Sequence, residues 1–247
     1  MCGRFVITMP PEAMREKFGY GDHPNFPRRF NIAPSQPVPI IRHKEGGGLD
    51  SREFALVRWG LVPSWSKEMP PSLLINARAD TIDEKPSFRG AFRHHRALMP
   101  ADGFYEWKPM GAGAKQPYFI RRSDRAPFVM AAIWDSWMPA DGSQLDTCAI
   151  ITTDANATLK PIHHRMPVVL DERDFALWLD PATPVKELEP LLRPAAADLF
   201  EAFPVSPDVN RVANDGPHLL DPYLAPPEPV KLKQKEKPAD DRQKDLF

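Results

Sequence analysis

Cysteine is scarce in this chain: of its 247 residues, only Cys2 and Cys148 carry a thiol. A framework of disulfide bonds is therefore not expected, and such cysteine usage is typical of proteins that work in a reducing compartment. The sequence also has no apolar run long enough to span a membrane, and its first residues do not form a signal peptide. These absences predict a soluble cytoplasmic protein with no membrane partner.

An excess of charge of either sign is missing as well. The chain has 32 Lys and Arg residues against 33 Asp and Glu residues. A global basic character, which would indicate nucleic-acid binding, is thus absent. A local basic groove stays compatible with these totals, because binding depends on where charges cluster.

Short catalytic and metal-binding motifs are also lacking. No CxxC or HExxH spacing links the possible ligands, which are Cys2, Cys148, His94, His95, His163 and His164. No G-x-S-x-G elbow and no phosphate-binding glycine loop is present. We therefore expect neither a metal nor a cofactor.

Proline, in contrast, is abundant, with 30 residues against an average of about 5%. Proline favours short elements, edge strands and structured loops over long helices. The apolar patterns predict an α+β, β-rich fold with a curved antiparallel or barrel-like core and short flanking helices. Helices are predicted at 11–18, 87–92, 172–179 and 185–192, and a last strand at 205–209.

The composition changes near residue 225, where prolines are followed by a lysine-rich run. Such a segment cannot bury a core, so we predict a folded domain at 1–224 and a disordered tail at 225–247. The tail ends with Gln243, Leu246 and Phe247, which resembles the short peptide that docks bacterial proteins on the replication sliding clamp. The alternative is a polar tail without a partner, because a five-residue motif is weak evidence.

Cys2 directly follows the initiator methionine, and this position has a chemical consequence. Removal of Met1 leaves a free α-amine and a thiol on adjacent carbons, with ordinary pKa values of about 7.7–8.0 and about 8.5. The amine can attack an aldehyde to form an imine, and the thiol can then close a five-membered thiazolidine. The alternative is that Cys2 is a small buried residue at the start of a strand.

Three further segments combine polar side chains with apolar flanks. Asn76 and Arg78 follow an apolar run, as at the end of a buried strand. Glu106 lies between two aromatic residues, where desolvation raises the pKa of a carboxyl group toward acid–base use. His163 precedes a short strand and belongs to the residue type that titrates near neutral pH. The alternatives are a solvent-facing strand glutamate and a hydrogen-bonded loop histidine.

Taken together and in order, six segments resemble the SOS response-associated peptidase family of abasic-site processing proteins. The resemblance covers the chain from residue 1 to about residue 220. The matching segments are Met-Cys-Gly-Arg-Phe at the start, Arg-Phe-Asn-Ile-Ala-Pro at 29–34, Trp-Gly at 59–60 with Pro63 and Trp65, Ile-Asn-Ala-Arg at 75–78, Ala-Asp-Gly-Phe-Tyr-Glu-Trp-Lys at 101–108, and Ile-His-His-Arg-Met-Pro at 162–167.

The resemblance implies a protein that binds single-stranded DNA and links covalently to abasic sites. The open form of an abasic sugar carries an aldehyde at C1′, which the aminothiol of Cys2 would capture. By resemblance, Asn76 holds the Cys2 terminus and the sugar, and Glu106 moves protons during imine formation and assists removal of Met1. His163 would act as acid or base at the sugar ring oxygen, although the adjacent His164 departs from the acid found in some relatives.

The resemblance also implies contacts to DNA. Arg4, Arg78 and Arg165 are expected at phosphates, because a guanidinium fork matches phosphate oxygens. Trp65 is expected to stack on a base beside the lesion. For each of these four residues the alternative is a structural ion pair or a core position.

Three functions thus remain open at this stage. The first is a monomeric, nucleoid-associated protein of the DNA damage (SOS) response that caps abasic sites through a Cys2 thiazolidine. The second is a peptidase (a hydrolase) that uses Cys2 as an N-terminal nucleophile on other proteins. The third is a reader of modified or single-stranded DNA without covalent chemistry.

Overall fold

The structure is a computed structural model that describes residues 2–21, 25–48, 51–111 and 113–224. The predicted tail at 225–247, with Gln243, Leu246 and Phe247, lies outside the described residues. The strands are β1 Arg4–Ile7, β2 Arg29–Ile32, β3 Pro37–His43, β4 Arg52–Trp59, β5 Asn76–Arg78, β6 Arg96–Ala101, β7 Gly103–Pro109, β8 Lys115–Arg122, β9 Phe128–Trp137, β10 Leu145–Asp154, β11 Arg165–Pro167 and β12 Phe200–Pro204. The α-helices are α1 Pro11–Phe18, α2 Pro86–His94, α3 Phe175–Leu179 and α4 Val185–Leu188.

Five of the strands close into a barrel. β10 pairs with β4, which continues through β3, β6 and β9, and β9 pairs again with β10. All these pairings are antiparallel except that between β10 and β4. The middle of β9, Val-Met-Ala-Ala-Ile at 129–133, is buried throughout, as expected for a strand covered on both faces. The predicted α+β class with a barrel-like core is confirmed.

β10 extends past its pairing with β4 and organises the far end of the barrel. Past its pairing with β4 it pairs in parallel with β5, so that Asn76 lies beside Ile150 and Arg78 beside Thr152. On its other edge it pairs with β11, which sets Arg165 opposite Asp154. Two segments that are remote in sequence are thereby placed on either side of one strand end.

A second sheet has the order β12-β8-β7-β1-β2 and lies beside the barrel. β1, which follows Cys2, runs antiparallel to β7, and Arg4 pairs with Tyr105. Gly103 allows this sheet to form tightly, because a Cβ there would come within 2.4 Å of the Phe119 ring and 2.8 Å of the Ile120 carbonyl oxygen. The chain turns into β7 at this glycine and then reaches Glu106.

Several predicted elements differ from the structure. The last strand is wrong at 205–209: it lies at Phe200–Pro204, paired with β8, and a 3-10 turn follows at Pro207–Asn210. The predicted helix at 185–192 is α-helical only to Leu188 and continues as a 3-10 turn, because Pro190 has no N–H to donate. The helix at 172–179 likewise begins as a 3-10 turn and becomes α3.

Helix α1 follows its prediction and shows why the sequence was informative there. It begins at Pro11 and ends at Phe18. The residue that follows, Gly19, has a φ of 67°, a left-handed conformation that favours glycine. The longest helix in the described ranges, α2, has nine residues. None of the helices described is long and apolar enough to cross a membrane.

Candidate active site

Cys2 is fully buried at the entry to β1. Burial raises the pKa of its thiol well above the ordinary value, and the negative charge of Glu106 raises it further. The backbone N–H of Arg4 hydrogen-bonds the sulfur and opposes this shift. Because Met1 is still attached in this chain, the nitrogen of Cys2 is an amide.

Asn76 reaches Cys2 directly. Its Nδ2 donates a hydrogen bond to the carbonyl oxygen of Cys2 at 2.9 Å. Its Oδ1 is buried and accepts no hydrogen bond from the residues that the structure describes. Asn76 lies on β5 and Cys2 precedes β1, so this contact joins the barrel to the second sheet.

Glu106 lies on β7 and is only 3% exposed. Burial raises the pKa of its carboxyl group, while the positive charge at the amino terminus lowers it in part. The same carboxylate acts on the Cys2 thiol. A buried carboxyl group beside the amino terminus of the chain and a thiol has the surroundings expected for proton transfer.

The His163 side chain is held by the residues next to it in the sequence, at the start of β11. The backbone N–H of Arg165 donates to Nδ1 at 3.0 Å, and the ring stacks on His164 with centroids 4.3 Å apart. Burial and, to a lesser extent, the positive charge at the amino terminus lower the pKa of His163 to about 4. The ring is therefore neutral near pH 7. An accepting Nδ1 corresponds to the tautomer with its proton on Nε2. The same Nδ1 also lies 3.2 Å from the carbonyl oxygen of Arg165.

Arg78 and Arg165 converge at the end of β10. Arg165 is 5% exposed and binds Asp154, with Nη1 and Oδ1 3.0 Å apart, and the carbonyl oxygen of Thr152. Arg78 is 58% exposed and makes a two-pronged contact with Asp80. The predicted pair is thus brought together, but each guanidinium already has a carboxylate partner.

The other two predicted DNA contacts lie elsewhere. Arg4 donates to Asn31 Oδ1 at 2.9 Å and to the carbonyl oxygen of Val209 at 2.8 Å. It therefore joins β1 to β2 and to the 3-10 turn at Pro207–Asn210. Trp65 is 64% exposed and borders a cavity of about 710 Å³ beside α2. Among the described residues that line this cavity, Cys2 is absent.

Two residues important to this arrangement were not singled out from the sequence. Asp80 comes two residues after Arg78, and the spacing Arg-x-Asp was the available sign of a fork contact. Asn31 is fully buried and donates through Nδ2 to the carbonyl oxygens of Val209, Arg211 and Asn214. Within the described ranges, no three His, Cys, Asp or Glu side chains are placed to hold a metal ion.

Comparison with known proteins gives consistent matches. The family model described as SOS response associated peptidase (SRAP) matches residues 1–212. The abasic site processing protein YoaM of Bacillus subtilis is 39% identical over 228 residues, which cover 90% of this chain and 98% of the relative. The abasic site processing protein HMCES of Gallus gallus is 37% identical, covering 94% of this chain and 81% of the relative. A crystal structure of a protein from Bacteroides thetaiotaomicron superposes with a TM-score of 0.80 at 28% identity, covering 90% of this chain and 100% of that one.

Proposed function

Because this chain belongs to the SOS response associated peptidase family, we propose that it processes abasic sites in single-stranded DNA by forming a covalent link through Cys2. The relatives' names state that they process abasic sites. The chemistry of a free N-terminal cysteine supplies the reaction independently. The product is a stable ring that ties up the aldehyde needed for strand cleavage by β-elimination.

After Met1 is removed, the reaction has one condensation step and one addition step. Hydrolysis of the Met1–Cys2 peptide bond consumes one water and releases the α-amine. The amine attacks the C1′ aldehyde, and loss of one water gives an imine. The Cys2 thiol then adds to the imine carbon while its proton passes to the nitrogen, which closes the thiazolidine.

The hydrogen bond from Asn76 Nδ2 to the Cys2 carbonyl oxygen is the observation that carries this proposal. It fixes the backbone of the reacting residue from a second element of the fold. A fixed nucleophile saves the entropy of orienting it in each encounter. The buried Oδ1 of Asn76 is then available to a hydroxyl group of the sugar.

Glu106 is proposed to move the protons. It is buried and within electrostatic reach of both the amino terminus and the Cys2 thiol. A raised pKa keeps such a group able to accept and return a proton near neutral pH. We extend this role to Met1 removal, in which Glu106 would activate the water that cleaves the first peptide bond.

His163 is proposed to open the sugar ring. The closed form of an abasic sugar has no aldehyde until its ring oxygen is protonated and the C1′–O4′ bond breaks. A neutral histidine whose Nε2 carries the proton can donate a hydrogen bond to that oxygen and stabilise it as the bond breaks, while the proton itself comes from solvent. The stacking of His164 fixes the ring plane.

The DNA path is proposed to run past the end of β10. Arg78 is the most exposed of the three arginines predicted at phosphates, and it follows Asn76 on the same short strand. Arg4 and Arg165 are held by internal acceptors, so we assign them to the support of the site. Trp65 would stack on a base farther along the strand.

The tail adds a proposed partner. A docking peptide on a flexible linker would raise the local concentration of the protein at replication forks, where single strands occur. We propose that Gln243, Leu246 and Phe247 bind the sliding clamp, and that the protein acts as a monomer at the nucleoid.

A denaturing gel tests the covalent step. Mature protein is incubated with a single-stranded oligonucleotide that has one abasic site, beside Cys2→Ser and a variant with one extra N-terminal residue. Cys2→Ser keeps the amine but loses ring closure, whereas the extension keeps the thiol but moves the amine. A heat-stable shifted band only for the wild type is expected. Bound DNA without a band would favour a reader, and neither band nor binding would favour a peptidase for other proteins.

A further inference from the structure

Asp80 lies where a phosphate would be expected to bind. Its Oδ1 is 3.0 Å from Arg78 Nε, and its Oδ2 is 2.6 Å from Arg78 Nη2. The carboxylate thus places two oxygens on one edge of the guanidinium group. A phosphodiester bound by arginine places two of its oxygens in the same way. The carboxylate therefore occupies the donors that Arg78 would offer to a DNA backbone.

A second arginine faces the same carboxylate. Arg165 Nη2 lies 3.6 Å from Asp80 Oδ1, although its main partners are Asp154 and the carbonyl oxygen of Thr152. The Nε of Arg165 is buried and has no hydrogen-bond partner in the described residues. Asp80 thus sits between two cations at the strand end that also presents Asn76.

The local backbone explains why this contact forms. Arg78 precedes a 3-10 turn at Ala79–Thr81, which folds Asp80 back toward the arginine. Both side chains remain about half exposed, at 58% and 49%. An exposed pair of this kind is weak, so a phosphate can displace the carboxylate. The displaced charge then stays beside the phosphate and repels it.

We propose that Asp80 is a specificity-determining residue, which competes with DNA phosphates for Arg78 and so weakens the binding of undamaged single strands. The inference rests on the proposed function above. Undamaged and abasic strands carry the same phosphodiesters, but only the abasic strand has an aldehyde. Weaker phosphate binding lets a non-covalent complex with an undamaged strand dissociate sooner. A covalent product with an abasic strand is held by its new bonds and does not dissociate.

Asp80→Asn tests this directly, because it keeps the side-chain shape and removes the charge. We expect the variant to bind an undamaged single-stranded oligonucleotide about fivefold more tightly at low salt, the size of one exposed ion pair. The slope of the logarithm of affinity against the logarithm of salt concentration should become steeper by about 0.7. That change corresponds to one additional phosphate contact on a single strand. Undamaged competitor should also inhibit crosslinking to an abasic strand at about fivefold lower concentration.

The chain offers a matched control for the lost charge. Arg122 and Asp124 form the same Arg-x-Asp fork, with Nε and Oδ1 2.9 Å apart, at the end of β8. Asp124→Asn changes the net charge by the same amount. Among the described residues, Asp124 has no contact with Arg165 or Asn76. This variant should leave affinity and competition unchanged. In an Arg78→Gln background, Asp80→Asn should give no gain.

Three results would overturn the inference: equal or weaker binding by Asp80→Asn, an equal gain from Asp124→Asn, or a gain that persists in Arg78→Gln. Weaker binding would mean that Asp80 only orients Arg78. These outcomes are separate from the proposed function, since wild-type crosslinking is measured in the same assay. If the wild type neither binds nor crosslinks, the proposed function itself is wrong.

Discussion

Burial controls the acid–base chemistry of individual residues around Cys2. It raises the pKa of the Cys2 thiol and the Glu106 carboxyl group, and it lowers the pKa of His163 to about 4. In each case burial disfavours the charged form. Burial thus keeps the Cys2 thiol protonated and the His163 ring neutral near pH 7, and it makes Glu106 a stronger base than an exposed carboxylate. This suits a reaction that moves protons between an amine, a thiol and a sugar oxygen.

Glu106→Gln should slow crosslinking by about 10²- to 10⁴-fold, the usual contribution of a positioned acid or base. The substitution keeps the shape and removes proton transfer. The protein must first be matured with an added aminopeptidase, so that a defect in Met1 removal does not mimic a defect in crosslinking. Glu201→Gln, on a partly exposed strand residue paired with Arg121, is the control. A wild-type rate in Glu106→Gln would remove the residue from the mechanism.

The pH dependence of His163 follows from its lowered pKa. Above about pH 5 the ring is neutral, so the rate ratio of wild type to His163→Gln should stay constant between pH 5.5 and pH 8. The ratio should rise only as the pH approaches about 4, where the imidazolium becomes the stronger donor to the sugar oxygen. An ordinary histidine would instead change the ratio near its usual pKa of about 6.5. Single-turnover rates across the pH range measure this, and a midpoint near 6.5 would contradict the buried, neutral ring.

Asn76→Ala should lose the hydrogen bond to the Cys2 carbonyl oxygen. We expect slower crosslinking and a loss of about 1 kcal/mol in the free energy of unfolding. For a domain of this size, that is a fall of about 2–4 °C in Tm. Asn76→Asp retains the side-chain oxygens but not the donor, so it should also crosslink slowly. Unimpaired crosslinking by both variants would show that the donor is dispensable.

At the scale of elements, the site depends on strands whose partners are distant in sequence. β10 holds β5 on one edge and β11 on the other, and β1 lies against β7. The residue types of the site were readable from the sequence because their chemistry is local. The partners of Arg4 and Arg165 were not, since they depend on pairings such as Arg4 with Val209 that only the fold creates.

Gly103 and Gly90 provide a test of this framework. A Cβ at Gly103 would collide with the Phe119 ring and the Ile120 carbonyl oxygen, whereas Gly90 on α2 has open space around it. Gly103→Ala should destabilise the protein by about 1–3 kcal/mol through overpacking, and Gly90→Ala should stabilise it by up to about 1 kcal/mol through helix propensity. Thermal unfolding measures both, and equal Tm values for the two variants would contradict the predicted close approach at β7.

For the whole molecule, the sequence predicted the α+β class, the barrel-like curvature of the core and the helix at 11–18. Hydrophobic patterns and prolines carry that information. The sequence-based prediction failed at 205–209, because pairing with β8 decides where the last strand lies. It also failed in the late helices, where prolines interrupt regular patterns. The parallel pairing of β10 with β4 and β5 was also not readable, because register between distant strands leaves no local pattern.

The domain boundary near residue 224 and the clamp motif remain predictions. Replacing Leu246 and Phe247 with alanine should abolish pull-down of the sliding clamp and leave Tm and crosslinking of free oligonucleotides unchanged. Replacing Lys231 and Lys233 with alanine is the control for tail composition. Unchanged pull-down with the Leu246 and Phe247 variant would remove the clamp from the account.

The most direct test of the central claim is a count of free thiols in the crosslinked product. Mature protein is linked to an abasic oligonucleotide, denatured, alkylated and digested, and the peptides are weighed. If a thiazolidine forms, the mass of the adduct on the Cys2 peptide equals the summed masses of both reactants minus one water, and Cys2 is not alkylated. Cys148 should be alkylated, which serves as an internal control. An adduct heavier by one alkyl group on Cys2 would be an open imine, whose thiol is still free to react. That result, or an adduct on any other residue, would contradict ring closure at Cys2.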